Sequence, residues 1–515
     1  MDLRHHWFAD QLESQLRSGQ LPEILIGFSV WSSGKRKNPA LRGFFHYGLA
    51  MNRTRVIWQD GTALPSFVGL ALLSLIAAML LSTVIHYGVS PNWHDQQRIF
   101  QLLLLSGSSL FFFLYFPSSL IRRKVFAALL LTLGLGVFSS FLSDNSSWAL
   151  KEWSVFAGLM LFSFNISVSP EWVRRAAIWG LVVLGGFFCY QFLLSYLAAF
   201  VSGLRELNPR VLLSGFSNVR TMGQFQAMLL PLMAALGLYL RETGRFRLSW
   251  LVMLLLAIQW CISFALAGRG LWLGFAVAHL ALCWIGPVGR RFLIVQLSAA
   301  FVGLALYFLL MVALPTWLGI DMTLMSGMRS GLSLRDVLWR DAWGMFVAHP
   351  LLGVGPMHFS AVPNSVGAHP HQMLLQWFAE WGGVAGLLVV GLMTLGLLRG
   401  ARYLREQGDP MDAGLWLALV SVLVLAQVDG VFVMPFTQTV LALLVGIAMA
   451  RWSKPVAPSP AQRWLCRGLA VVVIVVLGRV LLLEVPGLTA AEERYLEIHG
   501  GGEAPRFWIQ GWIPM

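Results

Sequence analysis

The sequence predicts an all-α polytopic membrane protein with about 13 transmembrane helices (12 to 14). Three observations support this: 57% of the 515 residues are hydrophobic, only 12% are charged, and the basic residues cluster between apolar runs. A soluble chain needs a polar shell, whereas helices in lipid are apolar outside as well. The composition therefore excludes a soluble enzyme and a disordered protein. The clusters explain the net charge of +13 by membrane topology, so we expect no nucleic-acid partner.

Thirteen apolar windows have roughly the length, about 20 residues, that a helix needs to cross a bilayer. The eighth and the eleventh are the shortest. The windows cover residues 67–86, 99–116, 124–142, 150–168, 173–201, 222–240, 248–266, 270–285, 292–314, 373–398, 413–426, 432–450 and 465–483.

The basic residues predict the orientation, because cytoplasmic loops carry the excess of Lys and Arg. With the N-terminus inside, about two thirds of the 37 Lys and Arg residues lie in cytoplasmic segments. No signal-peptide pattern opens the chain, so we expect the first apolar run to be retained. The predicted order is a cytoplasmic lead-in (1–66), helices 1–9 (67–314), a large periplasmic loop (315–372), helices 10–13 (373–483) and a periplasmic tail (484–515).

The long loop 315–372 is where we expect the chemistry, because long ordered loops carry function. Apolar residues from Leu334 to Phe346 recur at helical spacing with charged residues between them. This pattern predicts an amphipathic helix on the membrane surface, or a lid packed on the bundle. The turn containing Gly353 and Gly355 has no preceding strand and does not indicate a nucleotide site.

His369 follows this turn and is a candidate general base, because imidazole titrates near neutral pH. Capping of the next helix is the structural alternative. His371 lies two positions on, across Pro370, so the pair does not fit a zinc site with ligands at i and i+4. We expect Pro370 to turn the two rings in different directions.

Arg220, Arg269 and Arg335 lie in or beside the predicted outer connections. Ionisable residues at membrane depth mark functional sites by default. The planar guanidinium also matches phosphate oxygens. We therefore predict that the three arginines form a diphosphate clamp, with snorkelling or helix-end ion pairs as the alternatives.

Residues 216–386 resemble the O-antigen ligase family of membrane glycosyltransferases. This family includes lipid A-core O-antigen ligases, pilin O-oligosaccharyltransferases and, more distantly, O-antigen polymerases. The resemblance depends on the order of three segments: Arg335-Asp-Val-Leu-Trp339, then Pro350-Leu-Leu-Gly-Val-Gly355, then His369-Pro-His-Gln-Met-Leu-Leu-Gln-Trp-Phe-Ala-Glu-Trp-Gly382.

The resemblance implies that His369, Arg269 and Arg335 are catalytic. Gln372 stands where members of the family usually carry Asn, and its amide offers the same groups. The residues that we predict to bind substrate are Arg220, His371, Arg340 and Gln372.

The resemblance also implies a bacterial inner-membrane enzyme that transfers a glycan from an undecaprenyl-diphosphate carrier to lipid A-core or pilin Ser/Thr. His369 would accept the acceptor's proton, and the arginines would neutralise the leaving diphosphate. We expect no metal and no cofactor, because the outer loops lack clustered carboxylates. The alternatives are an O-antigen polymerase and a non-enzymatic exporter of lipid-linked glycan. An exporter would need charges along several spans, and a structural scaffold would leave Arg269 without a role.

Overall fold

The computed structural model describes residues 65–88, 90, 92–203, 205–323, 334–362, 364, 366–500 and 506–513. These residues are mostly helical, and their only sheet pairs β1 (Glu206–Leu207) with β2 (Asp321–Met322) in parallel. The helices are α1 (Ser66–Leu81), α2 (Trp93–Leu114), α3 (Arg123–Leu142), α4 (Ser146–Val168), α5 (Glu171–Val201), α6 (Val219–Glu242), α7 (Phe246–Ala265), α8 (Arg269–Ile285), α9 (Pro287–Tyr307), α10 (Leu314–Leu318), α11 (Arg335–Ala348), α12 (Met373–Gln407), α13 (Pro410–Leu425), α14 (Pro435–Trp452), α15 (Pro460–Arg479) and α16 (Leu488–His499).

Nine helical stretches within the described ranges are long and apolar enough to cross a membrane. They are α2, α3, α5, α6, α7, α9 with α10, α12, α14, and α15 with α16. Helices α1, α8 and α13 are apolar but shorter, and α4 is not among the nine. Each predicted window overlaps one of these helices. The prediction of a helical, multi-pass membrane protein is thus supported, while the count of 13 stays a prediction.

Helix α2 begins at Trp93, before the predicted start at residue 99, although its first turns are polar. Tertiary contacts explain the difference, because the polar groups bind backbone elsewhere in the bundle. The Gln97 amide donates to the Gly215 carbonyl at 2.7 Å, and the Arg98 guanidinium donates to the Val433 carbonyl at 2.7 Å. Hydrogen bonding of this kind offsets the cost of burying polar groups.

The predicted amphipathic helix is α11, and it lies on the start of α12. Its buried residues Leu338 and Ala342 pack with Phe359 and with Ala379 of α12. The opposite face is exposed and carries Trp343. These contacts favour the lid interpretation of the pattern.

The connections between helices meet in two groups at opposite ends of the bundle. In the group predicted to lie outside, the Asn145 N–H donates to His358 Nε2 at 3.1 Å, and β1 pairs with β2. In the group predicted to lie inside, Leu120 and Val456 exchange backbone hydrogen bonds of 2.8 and 2.9 Å. The long loop therefore belongs with the other predicted outer connections.

Candidate active site

Three of the predicted arginines begin helices. Arg220 is the second residue of α6, and Arg269 and Arg335 are the first residues of α8 and α11. The Asn218 side chain caps α6 by accepting a hydrogen bond from the Arg220 N–H at 2.9 Å. The first turn of a helix carries partial positive charge on its free N–H groups, so each guanidinium adds to a positive helix end.

The three guanidinium groups interact electrostatically, and we name them the arginine cluster. Burial lowers the pKa of Arg335, as do the charges of Arg220 and Arg269, while Asp429 acts in the opposite direction. Arg220 and Arg269 are exposed, and Arg335 is partly buried. In the part of the chain that the structure describes, none of the three forms an ion pair with a carboxylate. A positive cluster without such partners is suited to bind an anion.

His369 and His371 lie against each other. Their ring centroids are 4.0 Å apart, with an interplanar angle of 49°. The prediction that Pro370 turns the rings in different directions is therefore wrong. The reason is the backbone of His371, whose φ of +52° lies in the left-handed region and brings its ring back onto His369.

The His369 side chain is buried, and neither of its ring nitrogens has a hydrogen-bond partner among the described residues. Burial lowers its pKa well below the ordinary value of 6.5, and the charges of His371, Arg506, Arg220 and Arg335 act in the same direction. The imidazole is therefore neutral at neutral pH. A neutral ring with a free nitrogen can accept a proton from a substrate hydroxyl.

The short connection between α13 and α14 closes over the histidine pair. Asp429 Oδ1 lies 3.8 Å from His371 Nδ1. The backbone of Gly430 approaches His369 so closely that an added Cβ would lie 2.3 Å from Nε2. Burial opposes ionisation of Asp429, but its interaction with the nearby His371, the Gly430 N–H and the charge of Arg220 hold the carboxyl pKa below its usual range. Asp429 is thus the negative partner of the pair.

Sequence reasoning did not select Asp429 as a site residue. The residue lies in a short connection between two apolar windows, and a lone carboxylate there has no informative spacing. The only signal in the sequence was its position close to the ends of two apolar windows, because ionisable residues at membrane depth mark functional sites.

Gln372 and Arg340 occupy different surroundings from the other predicted residues. The Gln372 amide donates to Gln427 Oε1 at 3.2 Å, and its carbonyl caps α12 by accepting from the Leu375 N–H. Gln372 therefore holds the start of α12. Arg340 is exposed on α11, five residues after Arg335. At about 100° per residue it lies roughly 140° around the helix from Arg335, so the structure does not bring the two together.

Backbone strain concentrates around these residues. Seven non-glycine residues within the described ranges have positive φ. Ala267 lies two positions before Arg269, Leu334 lies immediately before Arg335, and His371 is itself one of the seven. Such conformations cost of order 1–3 kcal/mol each and cluster at functional sites, where the surrounding structure holds them.

A second group of charges, the buried ionic cluster, consists of Arg98, Glu152, Glu380 and Arg506. All four side chains are buried. Arg506 Nη2 donates to Glu380 Oε1 at 2.6 Å and lies 3.9 Å from Glu152 Oε1. Sequence reasoning missed this cluster, although Glu152 and Glu380 lie within apolar windows and were a usable signal.

Comparison with known proteins finds one family. Residues 251–390 match the family model described as O-antigen ligase. The matched segment contains Arg269, Arg335 and His369, while Arg220 lies outside it. No curated protein sequence matches the chain. The resemblance predicted from the sequence motifs is thus confirmed: within this helical, multi-pass chain, residues 251–390 are similar to the O-antigen ligase family.

Proposed function

We propose that the protein is an inner-membrane glycosyltransferase that transfers a glycan from an undecaprenyl-diphosphate carrier to an acceptor hydroxyl of lipid A-core or pilin on the periplasmic side. One observation carries the proposal: three arginines without carboxylate partners interact electrostatically, and two of them, Arg220 and Arg335, also act on a buried, neutral histidine. The planar guanidinium suits a diphosphate, and the imidazole suits a hydroxyl proton. The family match supports a lipid-linked glycan as the donor.

The proposed reaction is a displacement at the anomeric carbon. The acceptor oxygen forms a bond to this carbon while the bond from the carbon to the diphosphate oxygen breaks. His369 accepts the proton of the acceptor hydroxyl. The electron pair of the broken bond leaves on the lipid diphosphate, whose charge Arg220, Arg269 and Arg335 neutralise. Asp429, beside His371, stabilises the positive charge that the histidine pair gains.

We place this site on the periplasmic side because of the distribution of basic residues and the meeting of the predicted outer connections. Single cysteines at two exposed positions, Glu206 and Lys454, test the orientation. In intact cells with the outer membrane permeabilised, and in a background without the native cysteines, an impermeant maleimide should label Glu206→Cys only. Labelling of Lys454→Cys alone would reverse the orientation.

The function is tested by an in vitro transfer assay. Purified protein is incubated with undecaprenyl-diphosphate glycan and, in separate reactions, with lipid A-core or pilin. Glycosylated lipid A-core or pilin supports the proposal and identifies the acceptor. Elongation of the lipid-linked glycan alone would instead identify a polymerase, and donor binding without any product would contradict a glycosyltransferase.

We also propose that the reaction needs no divalent metal, because the arginines supply the positive charge for the diphosphate. Residues 65–513, in their described parts, contain no group of three or more His, Cys, Asp or Glu side chains that could hold a metal ion. Chelation with EDTA should leave the transfer rate unchanged. Loss of activity that added Mg²⁺ or Mn²⁺ restores would contradict the arginine clamp.

A further inference from the structure

Residues 506–513, which we name the tail segment, are mostly buried inside the protein. Arg506, Phe507 and Gln510 are at most 2% exposed. The Phe507 ring lies under the Arg98 guanidinium at 5.2 Å and near the Lys151 ammonium at 5.5 Å. The segment lies outside residues 251–390, and it has no part in the reaction proposed above.

Glu380 links the tail segment to the loop that carries the histidines. Its Oε1 accepts a hydrogen bond from Arg506 Nη2 at 2.6 Å and another from the Phe359 N–H at 3.2 Å. Its Oε2 accepts from the Gln376 amide at 3.2 Å. One buried carboxylate therefore joins the tail segment, α12 and the turn that contains Phe359.

A second path runs through Ser360. The Ile513 N–H donates to the Ser360 carbonyl at 3.2 Å. The Ser360 hydroxyl in turn donates to the carbonyl of Ala368 at 3.0 Å, and Ala368 is bonded directly to His369. One end of the tail segment thus reaches Ala368 through Ser360, and the other end reaches the turn at Phe359 through Glu380.

The tail segment shares the backbone strain of the active site. Trp508, Ile509 and Gln510 all have positive φ, and with Met357 they complete the seven strained non-glycine residues in the described ranges. Three consecutive residues in this conformation persist only where contacts on both sides hold them. Those contacts are the Arg506 bond to Glu380 at one end and the Ile513 bond at the other.

We propose that the tail segment is a clamp that positions His369 for catalysis, with Arg506 and Glu380 as positioning residues. The inference rests on the proposed function. The clamp touches no reacting atom and acts by holding the turn at residues 358–361 and the Ala368 carbonyl in place. A misplacement of about 1 Å in a catalytic group can reduce a rate by about 10²-fold. The clamp therefore affects the turnover rate more than the affinity for the donor, which the arginines of α6, α8 and α11 provide.

The test measures kcat and the donor KM in the transfer assay. Arg506→Gln should lower kcat by roughly 10- to 100-fold, with the donor KM changed less than about 2-fold. Arg506→Lys should recover a large part of the rate, because an ammonium group still donates to Glu380. Arg451→Gln is the matched control. Arg451 pairs with Asp409 and Asp412 at the start of α13, whereas Asp429 and the histidine pair lie beyond its end, so this substitution should leave kcat unchanged.

Removing Arg506 also leaves Glu380 as a buried carboxylate with one fewer partner, which destabilises the fold. Ser360→Ala supplies a second variant, because it removes one hydroxyl and changes no charge. It should lower kcat about tenfold at an unchanged unfolding temperature. This variant decides the question if Arg506→Gln does not fold.

Two results together would overturn the role proposed for the tail segment and leave the proposed function intact. These are a wild-type kcat in Ser360→Ala and in any folded Arg506→Gln, and an inactive His369→Ala in the same assay. An equal fall in Arg451→Gln would also overturn it, because the effect would then be a general loss of structure. If the wild-type protein transfers no glycan to any acceptor, the proposed function fails instead.

Discussion

The arginine cluster at the helix starts and the buried ionic cluster use the same side chain in opposite surroundings. Arg220, Arg269 and Arg335 are exposed or partly exposed and have no carboxylate partner within the described ranges. In the buried ionic cluster, Arg98 donates to the Gln438 side chain at 2.9 Å, and Arg506 donates to Glu380 at 2.6 Å. The arginine cluster keeps its charge available for a ligand, while Arg98 and Arg506 donate hydrogen bonds to other parts of the protein.

The difference follows from solvation. A guanidinium removed from water needs hydrogen-bond acceptors and an opposite charge nearby, since burial of an unpaired charge costs several kcal/mol. Guanidinium groups at accessible helix starts avoid most of that cost and reinforce the positive helix ends. Burial and partners therefore separate an arginine that serves the fold from one that serves a substrate. His369 lies within electrostatic reach of both sets.

The largest expected effect is on His369, where the two sets meet. His369→Ala removes the proton acceptor and should lower kcat by about 10² to 10⁴-fold, the usual contribution of a general base. Donor affinity should stay near the wild-type value, because the arginines are intact. His371→Ala should be milder, because it removes the neighbouring ring and leaves the base. Wild-type turnover in His369→Ala, at matched expression, would move the catalytic role elsewhere.

Substitution of an arginine from each set should have opposite effects on stability and on donor binding. Arg98→Met should reduce the free energy of unfolding by about 3–5 kcal/mol, because it leaves the buried acceptors on Gln438 and Val433 without their donor and removes a positive charge near Glu152. Arg335→Ala should leave the unfolding temperature nearly unchanged and weaken donor binding roughly tenfold or more. Arg269→Lys should also bind the donor poorly, since Lys keeps the charge but loses the planar fork. Thermal unfolding and donor titration, run on all three variants, measure the two effects separately. Similar stability losses in Arg98→Met and Arg335→Ala would contradict the division.

A smaller effect is expected at Gly430. An added methyl group would lie 2.3 Å from His369 Nε2, so Gly430→Ala should displace the imidazole and lower kcat about tenfold. Gly391→Ala on α12 is the matched control, because its added Cβ meets nothing within 4 Å. Steady-state kinetics of the two variants should show a loss only in the first. Unchanged kinetics in Gly430→Ala would show that the close approach has no bearing on catalysis.

The smallest expected effect is that of pH near 6.5. The pKa of His369 lies well below 6.5, so the base stays neutral and kcat/KM should not fall as the pH decreases through that value. The charged groups around the ring are His371, Arg506, Arg220 and Arg335, and Arg335→Ala should move the acidic decline toward higher pH because it removes one positive charge. The folded protein binds this proton less tightly than the unfolded chain, so stability should decrease as the pH falls below 6.5. A decline of kcat/KM centred at 6.5 would contradict the buried, neutral base.

The sequence alone determined the helical membrane class, the approximate position of each helix and the identities of the main candidate residues. Hydropathy is a local property, so apolar windows locate helices without knowledge of their neighbours. His369 and Arg335 were selected through the order of short motifs, Arg269 was selected as an ionisable residue at membrane depth, and the family match contains all three. The orientation and the catalytic roles remain predictions from these local patterns.

Only the tertiary structure decided which distant segments meet. Arg506 and Glu380 are 126 residues apart and form a buried ion pair, and Asp429 reaches His371 from a different connection. The polar start of α2 is helical because its side chains find partners across the bundle. Charge pairing and hydrogen bonding depend on distances in space, and those distances are set by helix packing rather than by the local order of residues.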